Sequence, residues 1–239
     1  MSLRFTRRIL STGCSGLELD GQTRPLTSRP TWKSSNRDIP QRSLNVSDDV
    51  RGSIASIEAS LRRLERPALA MLNPGVKSEA VRPKLASRGL HPSSDLLALW
   101  EWRDGTGGPS DAKLGDLWLV PGFYLLSVDD ATKNFDAFLQ SPRWQSGWLP
   151  ILADGGGDFM ALDCSSGDHR GAVYHFRIDQ PEHPLEYLTV GQMLATYAAA
   201  FQRGVFHIDR DGFFNLDYDA FAQLAADLNP TVPWWRDDA

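Results

Sequence analysis

Cysteine is almost missing from this chain of 239 residues, which has only Cys14 and Cys164. They lie far apart in unlike contexts, so neither a disulfide framework nor a metal cluster is implied, and a reducing cytosol is the natural compartment. No apolar run approaches a membrane span, and Arg7-Arg8-Ile9-Leu10 is not followed by an apolar core of signal-peptide length. The histidines His91, His169, His175, His183 and His207 form no HExxH arrangement and no pairing with Cys at zinc spacing. Gly105 to Pro109 is glycine-rich but lacks the Lys-Ser/Thr of a phosphate-binding loop and follows a helix, so it reads as a surface loop. Ser165-Ser166 has neither a nucleophile-elbow pattern nor an assigned base. These absences leave enzyme activity with little support, and no catalytic residue, cofactor or metal is assigned.

What is present is ordinary globular composition, 41% hydrophobic and 23% charged. The formal charge of -5 hides an asymmetry. Residues 1–45 hold eight Lys/Arg and three Asp/Glu, whereas residues 46–239 hold 17 and 27. An acidic body opposes nucleic-acid binding, which needs a positive face for phosphates, and suits a basic partner. Residues 1–45 are rich in Ser, Thr, Arg and Pro with little apolar periodicity, the composition of a disordered tail. The same composition resembles an organelle transit segment, or a start placed too far upstream.

The ordered part is expected to be one domain over residues 46–239. Ser47 is a helix cap, with Asp48 and Asp49 in the first turn and Val50, Ile54, Ile57, Leu61 and Leu64 at helical spacing. Asn73-Pro74-Gly75 breaks the chain. Ser78 to Ser87 is helical up to Gly89, but Pro83 requires a start near Arg82 or a kink, at about 3 kcal/mol. Pro92 to Arg103 is a helix capped by Ser93 or Ser94. Leu117 to Val120 and Phe123 to Leu126 are strand candidates, and Ser127 or Asp129 caps the helix that follows. Thr189 to Arg203 is the clearest helix, with Gly204 at its C′ position. Phe206 to Asp209 and Phe213 to Leu216 flank a hairpin turn at Arg210-Asp211-Gly212, and Asp217 or Asp219 caps a last helix that ends at Asn229-Pro230. Asp209-x-Asp211-Gly212 has its glycine too early for a calcium loop and reads as a turn. Trp234-Trp235 either folds back or is left for a partner, burial being the expected fate.

The chain is organised around Trp148 to Asp179, which reads as a three-strand meander. Leu149 to Leu152 runs into Asp154-Gly155-Gly156-Gly157, where glycine accepts φ > 0 at little steric cost. In the second run Met160, Leu162 and Cys164 make the cleaner core face, opposite Phe159, Ala161 and Asp163. The third run alternates Ala172, Tyr174 and Phe176 with Val173, His175 and Arg177, as a sheet with one buried and one wetter face requires. Ser165 to Gly171 is an exposed loop.

The pattern Trp148-x-Pro150-Ile151, Asp154-Gly155-Gly156-Gly157-Asp158 and Leu162-Asp163 resembles the signature of the SUKH superfamily. That superfamily groups fungal cell-wall assembly regulators with bacterial immunity proteins that neutralise polymorphic toxins. Leu99 to Thr106 resembles its LY-W-x-(D/N)-G segment, and Asn229-Pro230 with Trp234-Trp235 its usual C-terminal end, so the likeness covers roughly residues 70–235 in order. It implies an α+β fold, helices packed on a mainly antiparallel sheet, and a non-catalytic protein-binding function. The bacterial branch implies a cytoplasmic immunity protein that binds a toxin, such as a basic nuclease, with no nucleic-acid or membrane partner. A regulatory adaptor is the alternative, and a metal-dependent enzyme using Asp154 and Asp158 a weaker one.

Asp154, Asp158 and Asp163 are read as three carboxylates around one turn, with Asp168 in the next loop, and together they form the expected partner surface. Asp154 is placed as an Asx-turn acceptor and Asp158 as the acceptor of N–H groups from the glycine turn. Trp148 is the aromatic anchor, with burial in the core as its other fate.

Deleting residues 1–45 is expected to leave near-UV circular dichroism and the thermal transition almost unaltered. A large cooperative loss of stability would show that this segment contributes to the fold.

Overall fold

A computed structural model describes residues 49–236. The expected tail over residues 1–45 and the Ser47 cap lie outside them. Asp49 caps the first helix instead, its Oδ1 accepting the Gly52 N–H at 3.0 Å. That helix, α1 (Val50–Arg63), buries Val50, Ile54, Ile57 and Leu61, the expected stripe. A short α2 (Ala68–Met71) leads into β1 (Leu72–Pro74), which pairs antiparallel with β2 (Arg103–Thr106). Asn73 and Pro74 of the expected break, and Gly105 and Thr106 of the expected loop, are thus strand, and the chain breaks at Gly75. Pro74 fits because a two-stranded ribbon leaves its missing N–H without a ladder partner to disappoint.

Between them, α3 (Ser78–Ala86) starts at Ser78, not Arg82, and carries Pro83 inside. Then α4 (Ser94–Trp102) is capped by Ser93, whose Oγ accepts the Leu96 N–H. Trp100 is fully buried, and its indole N–H donates to the Leu126 carbonyl at 3.0 Å. The expected strand at Leu117 to Val120 is wrong. Leu114–Leu117 is a helical turn, α5, and Val120 makes only a single bridge to Phe123. The strand β3 shrinks to Tyr124–Leu125 before Ser127 caps α6 (Val128–Phe138).

The meander is present as β4 (Trp148–Ala153), β5 (Phe159–Asp163) and β6 (Val173–Phe176). It is extended by β3 on one side and by β7 (Leu185–Tyr187) on the other into a five-stranded antiparallel sheet, order β3-β4-β5-β6-β7. The expectation of one wetter face does not hold. Every residue of β4 is buried, and in β5 only Asp163 is not. On one face Met160 pairs with His175, and Leu162 with Val173, which in turn pairs with Tyr187. The long helix α7 (Val190–Gln202), capped by Thr189, packs against β7 there and against α1 and α4 behind. Gly204 closes α7 with φ +70°.

The other face carries Trp148, Phe159 and Phe176, and an aromatic lid covers it. Phe138 from the end of α6 meets Phe159 and Phe176 edge-on, Trp144 meets Phe176, and Trp148 stacks on Tyr174 at 4.8 Å. A second hairpin, β8 (Phe206–Ile208) with β9 (Phe214–Leu216), has the expected turn at Gly212, φ +84°, and Asp209 receives its backbone N–H groups. Asp217 caps α8 (Tyr218–Leu228), and Pro233–Trp235 forms a closing 3-10 turn. The described chain is therefore α+β, with helices packed on antiparallel sheets. None of its helices is long and apolar enough to cross a membrane.

His183 belongs to the aromatic lid, 4.5 Å from the Phe176 ring centroid. The Arg177 N–H donates to its Nδ1 at 3.2 Å, which requires a lone pair there and a neutral ring. Burial first, then the charges of Arg143 and Arg177, push its pKa below 6.5. The unfolded chain therefore binds this proton more readily than the folded one. Its contribution to stability is complete above pH 6.5 and declines as pH falls through the folded value. An NMR titration is expected to place the His183 midpoint below 6.5, and His183→Gln to remove that part of the acid-side fall in melting temperature.

Candidate binding site

The turn after β4 is built by one carboxylate. Asp154 Oδ1 accepts the N–H groups of Gly156, Gly157 and Asp158 at 2.7, 2.9 and 2.9 Å. That is the expected Asx-turn role, but it also takes the bonds assigned to Asp158. Asp158 reaches across the sheet end instead, where its Oδ1 accepts the Ile178 N–H at 2.8 Å. Its second oxygen lies 4.0 Å from His175 Nε2. On the far side of that ring, His175 Nδ1 is 3.0 Å from Glu186 Oε1, and since a carboxylate only accepts, Nδ1 carries the proton. Asp158, His175 and Glu186 thus form one row across the ends of β5, β6 and β7.

The other expected site residues are elsewhere. Asp163 pairs with Trp148, at the far end of the β4–β5 hairpin from Phe159, and four residues of strand place it roughly 13 Å from there. It serves a different turn, accepting the Ser165 N–H at 2.8 Å. Asp168 is exposed in the β5–β6 loop, on that same far end. The three carboxylates therefore do not surround one turn, and the expected acidic patch is divided between two ends of the sheet. Trp148 is 6% exposed inside the aromatic lid, so burial is its fate and it is no exposed anchor. With Asp154 Oδ1 already accepting three N–H groups, a metal centre at the turn loses its best ligand. Among the described residues no group of three His, Cys, Asp or Glu is placed to hold a metal ion.

The row from Asp158 ends in a cleft that sequence reasoning missed. A cavity of about 400 Å³ opens between the Val120–Phe123 bridge, the β6–β7 edge, α8 and the closing 3-10 turn. His175, Glu186 and Tyr187 contribute to its lining from the sheet. Tyr197 and Phe221 supply walls from α7 and α8, and Trp235 a third from the 3-10 turn, its indole N–H held by the Glu186 carbonyl at 2.6 Å. Trp235 is thus folded back as expected, whereas Trp234 remains 41% exposed. Tyr218 stands at the rim, 74% exposed.

The Glu186 carboxylate is buried, its side chain 6% exposed, and the only basic side chain within 4 Å among the described residues is His175. Burial raises the Tyr187 and Tyr197 phenols above their ordinary pKa. The Tyr187 hydroxyl lies near that of Tyr197 but makes no hydrogen bond of normal geometry. The signal that could have found the cleft was Tyr218, Phe221, Trp234 and Trp235 crowded into the last stretch of the described chain. It was obscured because β7, which holds Glu186, has too few residues to show a period.

Gly155 and Gly157 have φ of +89° and +119°, as expected of at least one glycine in this turn. A Cβ on Gly157 would also come 2.8 Å from Ile178 Cδ1. Gly155→Val and Gly157→Val are each expected to cost about 2 kcal/mol and lower the melting temperature by several degrees. Gly156, which lacks the positive φ, should tolerate Val better. Thermal unfolding of the three variants checks the order.

No curated protein matches the chain. Residues 92–199 match the SMI1 / KNR4 family (SUKH-1). That segment runs from the start of α4 through the five-stranded sheet into α7, and contains the glycine turn, Asp158, His175 and Glu186. This match supports membership of the SUKH superfamily, as the signature implied.

Proposed function

We propose that this protein acts by stoichiometric, non-catalytic binding of a protein partner, as a cytoplasmic immunity-type protein that covers a basic toxin of the nuclease kind. The observation that carries the reading is the excess of acid. Residues 49–236 contain 24 Asp/Glu and 17 Lys/Arg. Five of those bases are already matched in ion pairs: Arg51–Glu101, Arg62–Glu58, Lys84–Asp129, Arg88–Asp136 and Lys133–Asp130. Asp168 makes no ion pair among the described residues and stands exposed. Such a surface speeds the approach of a basic partner and repels phosphate backbones and anionic lipid.

A regulatory adaptor would use the same surface but would bridge two partners without inhibiting either. Stoichiometric inhibition of a toxin encoded nearby separates the two readings. The association rate with that partner is expected to fall steeply as salt rises, because screening beyond about 8 Å at physiological ionic strength removes the long-range attraction. Dissociation should change much less. Asp168→Lys is expected to slow association severalfold without moving the melting temperature. Stopped-flow kinetics checks both, and a salt-independent on-rate, or turnover of a substrate by the purified protein alone, would overturn the reading.

A further inference from the structure

The cleft beside β7 has a chemistry more specific than an apolar slot. Tyr197, Phe221 and Trp235 wall it, Tyr218 and Trp234 stand at its mouth, and Glu186 lies buried at its floor. His175 engages one Glu186 oxygen, and no Lys or Arg among the described residues comes within 4 Å of either. Aromatic faces present negative charge to whatever lies over them, and a carboxylate buried beneath them adds a full one. The volume of about 400 Å³ is that of a ligand site, and larger than a packing defect. We infer that the cleft is a cation-recognition pocket, one that receives the ammonium or guanidinium group of a Lys or Arg side chain from the protein partner. This rests on the basic-partner reading above and gives that partner its anchor.

The protein's own Arg177 shows the same chemistry at the rim. Its guanidinium stands 5.5 Å from the Trp234 ring centroid while Nε and Nη2 donate to the Glu182 carbonyl. Held there, Arg177 leaves Glu186 free. Two other occupants fit less well. An anion would face the Glu186 carboxylate. A neutral aromatic side chain would fill the space but offer the buried Glu186 carboxylate no counter-charge, and a buried charge left uncompensated is costly. A cationic N–H donor supplies one.

The test is an NMR titration of the full chain with N-acetyl-arginine methylamide, read at the indole N–H signals of Trp234 and Trp235. The neutral isostere N-acetyl-citrulline methylamide and the anionic N-acetyl-glutamate methylamide serve as comparisons. Saturable shifts are expected with the arginine probe, at least about fivefold weaker with citrulline and absent with glutamate. Glu186→Gln should abolish the arginine response. Because that change also alters the acceptor that faces His175, the exposed-rim variant Trp234→Ala provides the second check, read at Trp235 and expected to weaken the response about threefold. Equal responses to arginine and citrulline, a stronger response to glutamate, no response at all, or an arginine response unchanged in both variants would each overturn the inference. Full-affinity binding of the cognate partner by Glu186→Gln would sink this pocket alone. Failure of any toxin to bind would sink the functional reading while leaving the probe titration to stand or fall by itself.

Discussion

Because Asp158 Oδ1 takes the Ile178 N–H, two distant pieces of chain share a single carboxylate. They are the glycine turn that starts β5 and the segment leaving β6, beside the imidazole that reaches Glu186 on β7. Hydrogen bonds to a charged acceptor are worth roughly twice neutral ones, and this one closes the end of the sheet where the cleft begins. Asp154 does the complementary local work, folding the turn so that Asp158 emerges in the right place. One residue thus shapes the loop and the next carboxylate uses that shape.

The sheet that these contacts close is covered on both faces, which explains why its strands read ambiguously. A half-buried strand alternates visibly, but β4 and β5 are apolar on both sides because α7 covers one face and the aromatic lid the other. The lid comes largely from irregular chain, Trp144 and His183 among it. Ring packing there adds to α6, which lies against β4 and whose Phe138 meets Phe159 and Phe176. Leu162 and Trp148 are therefore both buried although they lie on opposite faces, Trp148 against the rings of Trp144 and Tyr174.

Much of this was legible in the residues. Long periodic elements with caps were read correctly: α7 between Thr189 and Gly204, α8 after Asp217, the β8–β9 hairpin, and the glycine turn with its Asx acceptor. The strands β1 and β7 were not, because each holds three residues and forms only by pairing with a neighbour strand, and of the expected Phe123 to Leu126 run only Tyr124–Leu125 is strand. The candidate site fared worse for a related reason. Asp158 and Asp163 are five positions apart, which looks close, but an extended strand turns five positions into separation and places the two at opposite ends. Glu186 and His175, eleven positions apart, are brought to 3.0 Å by strand pairing that no local pattern announces. Family likeness supplied the fold without supplying the cleft, since function resides in the particular side chains a scaffold displays.

The bond from the Trp235 indole to the Glu186 carbonyl has a consequence for how this protein is made. A ribosome delivers the five sheet strands first, and the wall that encloses the cleft arrives only after α8, in the last described turn. The sheet strands and α7 precede that wall in the order of synthesis, so a chain that has emerged only as far as Leu228 lacks Trp235 and with it the bond that closes the cleft beside Glu186. The wall is therefore a late addition to a framework whose strands are already laid down.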